Sequence, residues 1–310
     1  MPGLIAVIGS INTDLVTTTE RWPEAGETVL AQDFRQLPGG KGANQAVAAA
    51  RLGGRVAMVG RVGEDAWGLA ARASLAAAGV DTAHVRTSLG VSSGVATIVV
   101  DAHGENRILL AAGANAHVTP ADVEARLLAD SALVVLQLEI PVETVYGVIA
   151  GCGQALLNPA PAVPLDLERL RGLGYLVPNQ GELASLTGLP TTRMDDVVAA
   201  SRRLVRLGIR CVITTLGPDG ALLVTSTRVA HVAAPAVTPV DTTGAGDAFI
   251  GCFAQTLVET GDVDRALARA VRYASLSVTR RGAQASYVDA AAFARLMPDP
   301  HDDGRTHGER

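Results

Sequence analysis

Short runs of β-branched and aliphatic residues, each closed by glycine or a polar residue and followed by a helix-length run, recur through most of this chain. "LIAVIGSI" reads as a buried strand, and "KGANQAVAAARLG" as a helix of small residues that closes at Gly53. "RVAMVGRVG" with "WGLAARASLAAAG", and "SALVVLQLE" with "PVETVYGVIAGCG", repeat the alternation; "RCVITTLG" and "GALLVTS" add two further strands. Strands that are apolar on both faces and separated by helices pair in parallel, with the crossover helices covering the two sides. The expected fold is therefore α/β: a doubly wound, mostly parallel central sheet with helices on both faces.

Two segments break the rhythm. Residues 13–37 ("TDLVTTTERWPEAGETVLAQDFRQL") and 91–111 ("VSSGVATIVVDAHGENRILLA") alternate polar and apolar residues about turn signals, the pattern of β-hairpins. Paired with each other they would make a small β-sheet over the strand ends, a lid. The expected division is a core of 1–12, 38–90 and 112–297, a lid of 13–37 and 91–111, and a disordered polar tail at 298–310.

Composition excludes several classes. A net charge of -5 and a pI near 5.7 argue against a nucleic-acid groove. No leader pattern opens the chain, and no apolar run is long and charge-free enough to span a bilayer. Cys152, Cys211 and Cys252 stand far apart in apolar surroundings with no CxxC or Cys/His cluster, so they read as buried thiols of a cytoplasmic enzyme.

Chemistry concentrates at strand ends, where ligands of open α/β sheets sit. In "PVDTTGAGDAFIGCFA" the small residues Gly244, Ala245 and Gly246 precede Asp247 and an apolar helix. Their backbone N–H groups suit a phosphate, and the acid beside them suits removal of a proton from a hydroxyl. The alternative is a capped helix with a flexible entry. "PGGKGANQAVA" is neither a P-loop nor a dinucleotide fingerprint. Gly39 and Gly40 would let a polyol approach the backbone, with Lys41 and Asn44 as donors; a glycine-rich helix entry is the plainer reading. Asn12 and Asp14, two apart on an extended chain, point the same way, although both are also ordinary turn residues. Glu139 ends the apolar run "LVVLQL" and needs a partner there. Asn179 and Glu182 in "PNQGE", and Thr215, Gly217 and Gly220 in "TTLGPDG", follow two more strands, each as a rim residue or a turn.

These motifs together resemble the ribokinase, or PfkB, family of carbohydrate kinases, over about Leu4 to Ala290. "PGGKGANQAVAAARLGGRVAMVGRVGEDAWG" is similar to the family's N-terminal signature and "DTTGAGDAFIGCFA" to its C-terminal one; "GSINTD", "LQLEIP", "LNPAPA", "PNQGE" and "TRRGAQAS" fall between and after them in the family's order. The resemblance implies ATP-dependent phosphorylation of D-ribose to ribose 5-phosphate, with Asp247 as base and the Gly244–Gly246 amides as anion hole. It implies sugar contacts at Asn12, Asp14, Gly40, Lys41, Asn44, Glu139 and Asp247, and ATP contacts at Asn179, Thr215, Gly217, Gly220 and Gly246. It also implies magnesium, reached indirectly by Glu182, and potassium near Asp241, Thr243, Ser277, Arg280, Gly282 and Ser286. A homodimer through the lid sheet follows from the same resemblance. Sister kinases acting on deoxyribose, nucleosides or fructose are the near alternatives, and a non-catalytic sugar sensor the remote one.

Overall fold

The computed structural model describes residues 3–298, so nearly all of the tail expected to be disordered lies outside the described residues. In chain order the elements are β1 (Leu4–Ile8), β2 (Asn12–Thr18), β3 (Asp33–Gly39), α1 (Lys41–Arg51), β4 (Arg55–Gly63), α2 (Ala66–Ala77), β5 (Val85–Ser88), β6 (Gly94–Val100) and β7 (Asn106–Ala111). There follow α3 (Ala125–Asp130), β8 (Ser131–Leu136), α4 (Val142–Gly151), β9 (Ala155–Leu157), β10 (Tyr175–Leu176), α5 (Gln180–Thr187) and α6 (Met194–Arg206). The chain closes with β11 (Cys211–Thr215), β12 (Ala221–Val224), β13 (Val229–Val232), α7 (Ala245–Thr260), α8 (Val263–Ser277) and α9 (Ala290–Leu296).

Among the described residues nine strands form the central sheet in the order β13-β12-β11-β10-β9-β8-β1-β4-β5, all running the same way except β12, which pairs antiparallel with β11 and β13 at one edge. Side chains alternate along β1 and β8 so that both faces are apolar. Ile5, Val7, Leu133 and Val135 pack beneath α1, α7 and α8, while Ala6, Ile8, Val134 and Leu136 pack beneath α4, α5 and α6. Each fully buried aliphatic side chain contributes about 1.5–3 kcal/mol, and with both sheet faces covered the expected doubly wound core is what forms.

One packing detail positions the site. A Cβ on Gly251 of α7 would lie 2.5 Å from the Ala48 Cβ and 2.6 Å from the Gln45 carbonyl of α1. Absence of a side chain there lets the two helices approach, which brings their N-terminal turns side by side.

The two irregular segments join into one four-stranded sheet, β3-β2-β6-β7, in which β2 and β6 run parallel and the outer pairs antiparallel. Its edge strand β7 is exposed along its whole length.

Candidate active site

From β1 the chain moves outward to β4 and β5, then returns to place β8 on the other side of β1, with β9, β10 and β11 beyond. The order reverses between β1 and β8, so the residues leaving these two strands diverge and open a crevice. Ser10 follows β1 and Glu139 follows β8, and the Ser10 hydroxyl donates to Glu139 Oε2 at 2.5 Å across the gap. The backbone N–H of Lys41, first residue of α1, donates to the same oxygen at 3.2 Å. This partnership answers the need of an acid at the end of a buried strand.

Asp247 lies in the first turn of α7, and 7% of its surface is exposed. Both its oxygens accept hydrogen bonds from consecutive residues of α1: Oδ2 from Asn44 Nδ2 and Oδ1 from Gln45 Nε2, each at 2.9 Å. The helix begins on Gly244, whose φ of 76° lies in the left-handed region, and no side chain caps it. The capped-helix alternative is thereby removed. A Cβ on Gly244 would also strike Ala283 and the Tyr287 hydroxyl, which donates to the Gly244 carbonyl at 2.8 Å. Gly246 differs: it is exposed, and nothing lies within 4 Å of where its Cβ would be. Its smallness serves no contact within the protein. Of the three amides expected to form an anion hole, that of Ala245 donates to the Thr242 carbonyl at 3.2 Å. Among the described residues, the N–H groups of Gly244, Gly246 and Asp247 have no acceptor, so the open donors sit partly at different positions from those the sequence suggested.

The small sheet contributes from above. Asn12 pairs with Gly39 and Gly94 in register, and its Oδ1 accepts from Asn115 Nδ2 at 2.6 Å. The Asp14 carboxyl lies over Gly39, where a Cβ would meet it at 2.1 Å. Asn115 also accepts from the Ile11 N–H at 2.9 Å and so fixes the start of β2.

Electrostatics tie these groups into one site. Burial, with Glu139 and Asp247 adding repulsion, pushes the Asp14 pKa up to about 7. Burial also raises Asp247, against the opposing pull of Lys41, Asn44 and Gln45. Burial lowers the Lys41 ammonium, but the attraction of Asp247, Glu139 and Glu182 outweighs it and the net shift is upward. The Lys41 cation thus faces three acids, Asp247 of α7, Glu139 after β8 and Glu182 of α5.

The loops beyond β10 and β11 lie together through a bridge between Asn179 and Thr215. Asn179 Oδ1 accepts from the Glu182 N–H and Glu182 Oε2 from the Asn179 N–H, both at 2.8 Å, a reciprocal cap on α5. Burial raises Glu182, opposed by the Asn179 N–H and by Lys41. A Cβ on Gly220 would collide with the Val232 carbonyl at 2.0 Å, so its smallness is explained by the turn; Gly217 opens onto free space. Asp241 Oδ1 accepts from the Thr243 N–H at 2.9 Å and Oδ2 from the Gly282 N–H at 2.7 Å. Its own N–H donates to Val278, next to Ser277. Burial works to raise the Asp241 pKa, but the Gly282 and Thr243 donors, with the Arg35 charge reaching over from β3, hold it below the usual range. Asp241 therefore joins the Thr243 turn to the 277–282 segment. Arg280 is exposed, and the Ser286 hydroxyl donates to Ala283.

Residues 3–290 match the family model of the pfkB family carbohydrate kinases. The chain belongs to that family. This carbohydrate kinase is 45% identical over 301 residues to a deoxyribokinase of Salmonella typhi, covering 94% of this chain and 98% of the relative. It is 43% identical over 286 residues to a ribokinase of Bacillus subtilis, with 90% and 94% covered. The solved structure of Arabidopsis thaliana ribokinase complexed with ribose and ATP superposes with a TM-score of 0.88 at 32% identity, covering 96% of this chain and 99% of the other. The chain is an ATP-dependent sugar kinase of ribokinase fold.

For this kinase, sequence reasoning missed Gln45, which holds the acid directly, and Gln137, Asn158 and Gln284, which bond its two holders Gln45 and Asn44. Each stood inside a motif already quoted, and the available signal was an amide at an apolar position, as in "NQAVAAA" and "LVVLQL".

Proposed function

We propose that this kinase transfers the terminal phosphoryl group of ATP to the primary hydroxyl of D-ribose, with Asp247 removing the hydroxyl proton. The observation that carries the reading is the pairing of a buried, doubly held carboxylate with the open amides of the α7 entry, those of Gly244, Gly246 and Asp247 itself. Asn12, Asp14, the Gly39–Gly40 backbone, Lys41, Asn44 and Glu139 supply polar groups enough for each hydroxyl of a pentose. The Gly244, Gly246 and Asp247 N–H groups would meet charge developing on the transferred phosphoryl group, and Asn179, Thr215 and Gly217 would line the nucleotide. Rate acceleration comes from positioning and charge stabilisation.

The charge balance supports two ions. Asp14, Glu139, Glu182 and Asp247 against Lys41 leave the crevice short of positive charge for a triphosphate. Among the described residues no three His, Cys, Asp or Glu side chains cluster as a metal site. Magnesium would therefore travel with the phosphates, and Glu182 would reach it through water. A potassium ion would be held by Asp241, which stays ionised, with main-chain oxygens around Thr243, Ser277, Arg280, Gly282 and Ser286. It would supply fixed positive charge behind the amide nest.

The small sheet acts as a lid in this reading because it carries Asn12 and Asp14 to the sugar. One of its faces, where Phe34 is 61% and Leu109 75% exposed, suits a second copy of the chain in a homodimer. Buried thiols pushed up to about 12 at Cys211 and Cys252 suit a reduced, cytoplasmic setting, and no helix among the described residues is long and apolar enough to cross a membrane.

The deoxyribokinase relative favours 2-deoxy-D-ribose as a second reading. Coupled ADP release over ribose, deoxyribose, fructose and nucleosides separates them. A site that hydrogen-bonds the 2-hydroxyl leaves its own groups unpaired without it, so kcat/KM for ribose is expected to exceed that for deoxyribose by at least about 100-fold. Equal or reversed preference assigns the second reading.

A further inference from the structure

Around Asp247 runs a chain of buried amides whose orientations are dictated from its ends. The Val177 carbonyl can only accept, so Asn158 turns its Nδ2 toward it at 3.0 Å and its Oδ1 toward Gln45. Gln45, 1% exposed, must then present its NH2 group to two acceptors, Asn158 Oδ1 at 3.3 Å and Asp247 Oδ1 at 2.9 Å. Its own Oε1 is left facing Gln137, whose Nε2 donates to it at 2.6 Å. On the other side Gln284 Nε2 donates to Asn44 Oδ1 at 3.0 Å, which leaves Asn44 Nδ2 for Asp247. Apart from Asn158, whose donor is taken by Val177, each link points a donor toward the acid. The Gln137 Oε1 is buried with no partner, packed on Gly9, where a Cβ would come within 1.8 Å of it. An orphaned carbonyl oxygen is costly, and here it is the consequence of turning the Gln137 NH2 toward Gln45.

We propose that Gln45, held in one orientation by Gln137 and Asn158, is a positioning residue for the phosphoryl-transfer base. It directs a fixed donor at Asp247 Oδ1, so that the carboxylate stays ionised and only its remaining lone pairs meet the sugar hydroxyl. This rests on the reading of Asp247 as base. Flipping the Gln45 amide would bring its oxygen against the carboxylate; Gln137 prevents that by offering hydrogen to the opposite end. Other charges facing Asp247 come from Lys41 on α1, Glu139 after β8, Asp14 on β2 and Glu182 on α5, with the Tyr287 hydroxyl after α8. None of them touches Gln45 through a hydrogen bond.

The test is the pH dependence of kcat at saturating sugar and ATP, where the profile belongs to the bound complex. Gln45→Leu is expected to lower kcat by about 10–100-fold, change sugar KM less than about threefold, and move the acid limb upward by about one pH unit. Gln137→Leu, which leaves Gln45 in place but frees it to turn, is expected to move both in the same direction by a smaller amount. Because it leaves the α1–α7 contact untouched, it carries the test should Gln45→Leu not fold. A merely structural role would lower Tm in either variant and leave the acid limb where it was; that result overturns the proposal. Asp247→Asn separates the two layers of the argument. If that variant turns over normally, the base assignment fails. If it is dead while the glutamine variants keep the wild-type kcat profile, only the positioning role fails.

Discussion

The two ends of the crevice are built by different physics. At the acceptor end, side chains hold one another: Asn44 and Gln45 on Asp247, Ser10 and the Lys41 N–H on Glu139, Asn115 on Asn12. At the donor end, the side chains with hydrogen-bonding capacity are turned on their own loops, as in the Asn179–Glu182 cap, while open space lies at Gly217 and Gly246. A small neutral sugar carries little binding energy of its own, so the groups that meet it are fixed beforehand. A triphosphate brings its own charge and extent, and backbone donors with room beside them suffice.

The comparison can be broken most forcefully at Gly246. Because the protein leaves free space there, Gly246→Val is expected to keep its Tm within about 2 °C while kcat/KM for ATP falls at least about 100-fold, with sugar affinity unchanged. A Tm collapse, or normal ATP kinetics, would show that the space is not the nucleotide's.

Asp14 sharpens the other end. Its pKa of about 7 means that it gains its charge only near neutrality. Sugar KM in the wild type is expected to rise as pH falls below about 7, and Asp14→Asn to raise KM about tenfold at pH 8 and flatten that dependence. Stability runs the opposite way. The folded state binds this proton more tightly than the unfolded chain does, so between about pH 4 and pH 7 its contribution to stability is lost as pH rises. Asp14→Asn should therefore be more stable than the wild type at pH 8, by about 2 kcal/mol given water's access to this half-buried group, and nearly equal near pH 4. Urea titrations at the two pH values check it.

The smallest effect is at Asn179. Asn179→Ala removes a helix cap and is expected to cost about 1 kcal/mol, a Tm drop of about 2 °C, with ATP KM raised several-fold and sugar KM untouched. Asn179→Asp keeps the cap and loses the free Nδ2 donor, so Tm should recover while ATP KM does not. Recovery of both would reduce Asn179 to a cap.

Much of this was legible before any coordinates. Alternating apolar runs disclosed the central sheet because parallel, doubly covered strands have few other sequence solutions, and the threonine-rich and "DAHGEN" segments disclosed the second sheet by breaking that pattern. The parallel pairing of β2 with β6 was not legible, since register between segments some 80 residues apart is a tertiary property. At the site, acids and glycines were visible because they break an apolar context. Their holders were not: Gln45, Gln137 and Asn158 act across 92 to 113 residues of chain, and a neutral amide in a small-residue helix gives no local sign of its partner. Ala245 and Gly220 show the converse, small residues that read as ligand-facing and whose amide or missing side chain also has an account within the protein itself.

The central claim is that Asp247 takes a proton and does not merely bind sugar. The direct measurement is Asp247→Asn, with steady-state turnover and calorimetric sugar binding on the same preparation. One of the two amide donors must then face an NH2 group, a cost of about 1–3 kcal/mol that loss of the buried charge offsets. Our account predicts a folded protein whose sugar Kd stays within about tenfold and whose kcat falls at least about 1,000-fold. Turnover within about tenfold of wild type, at any sugar affinity, would contradict it.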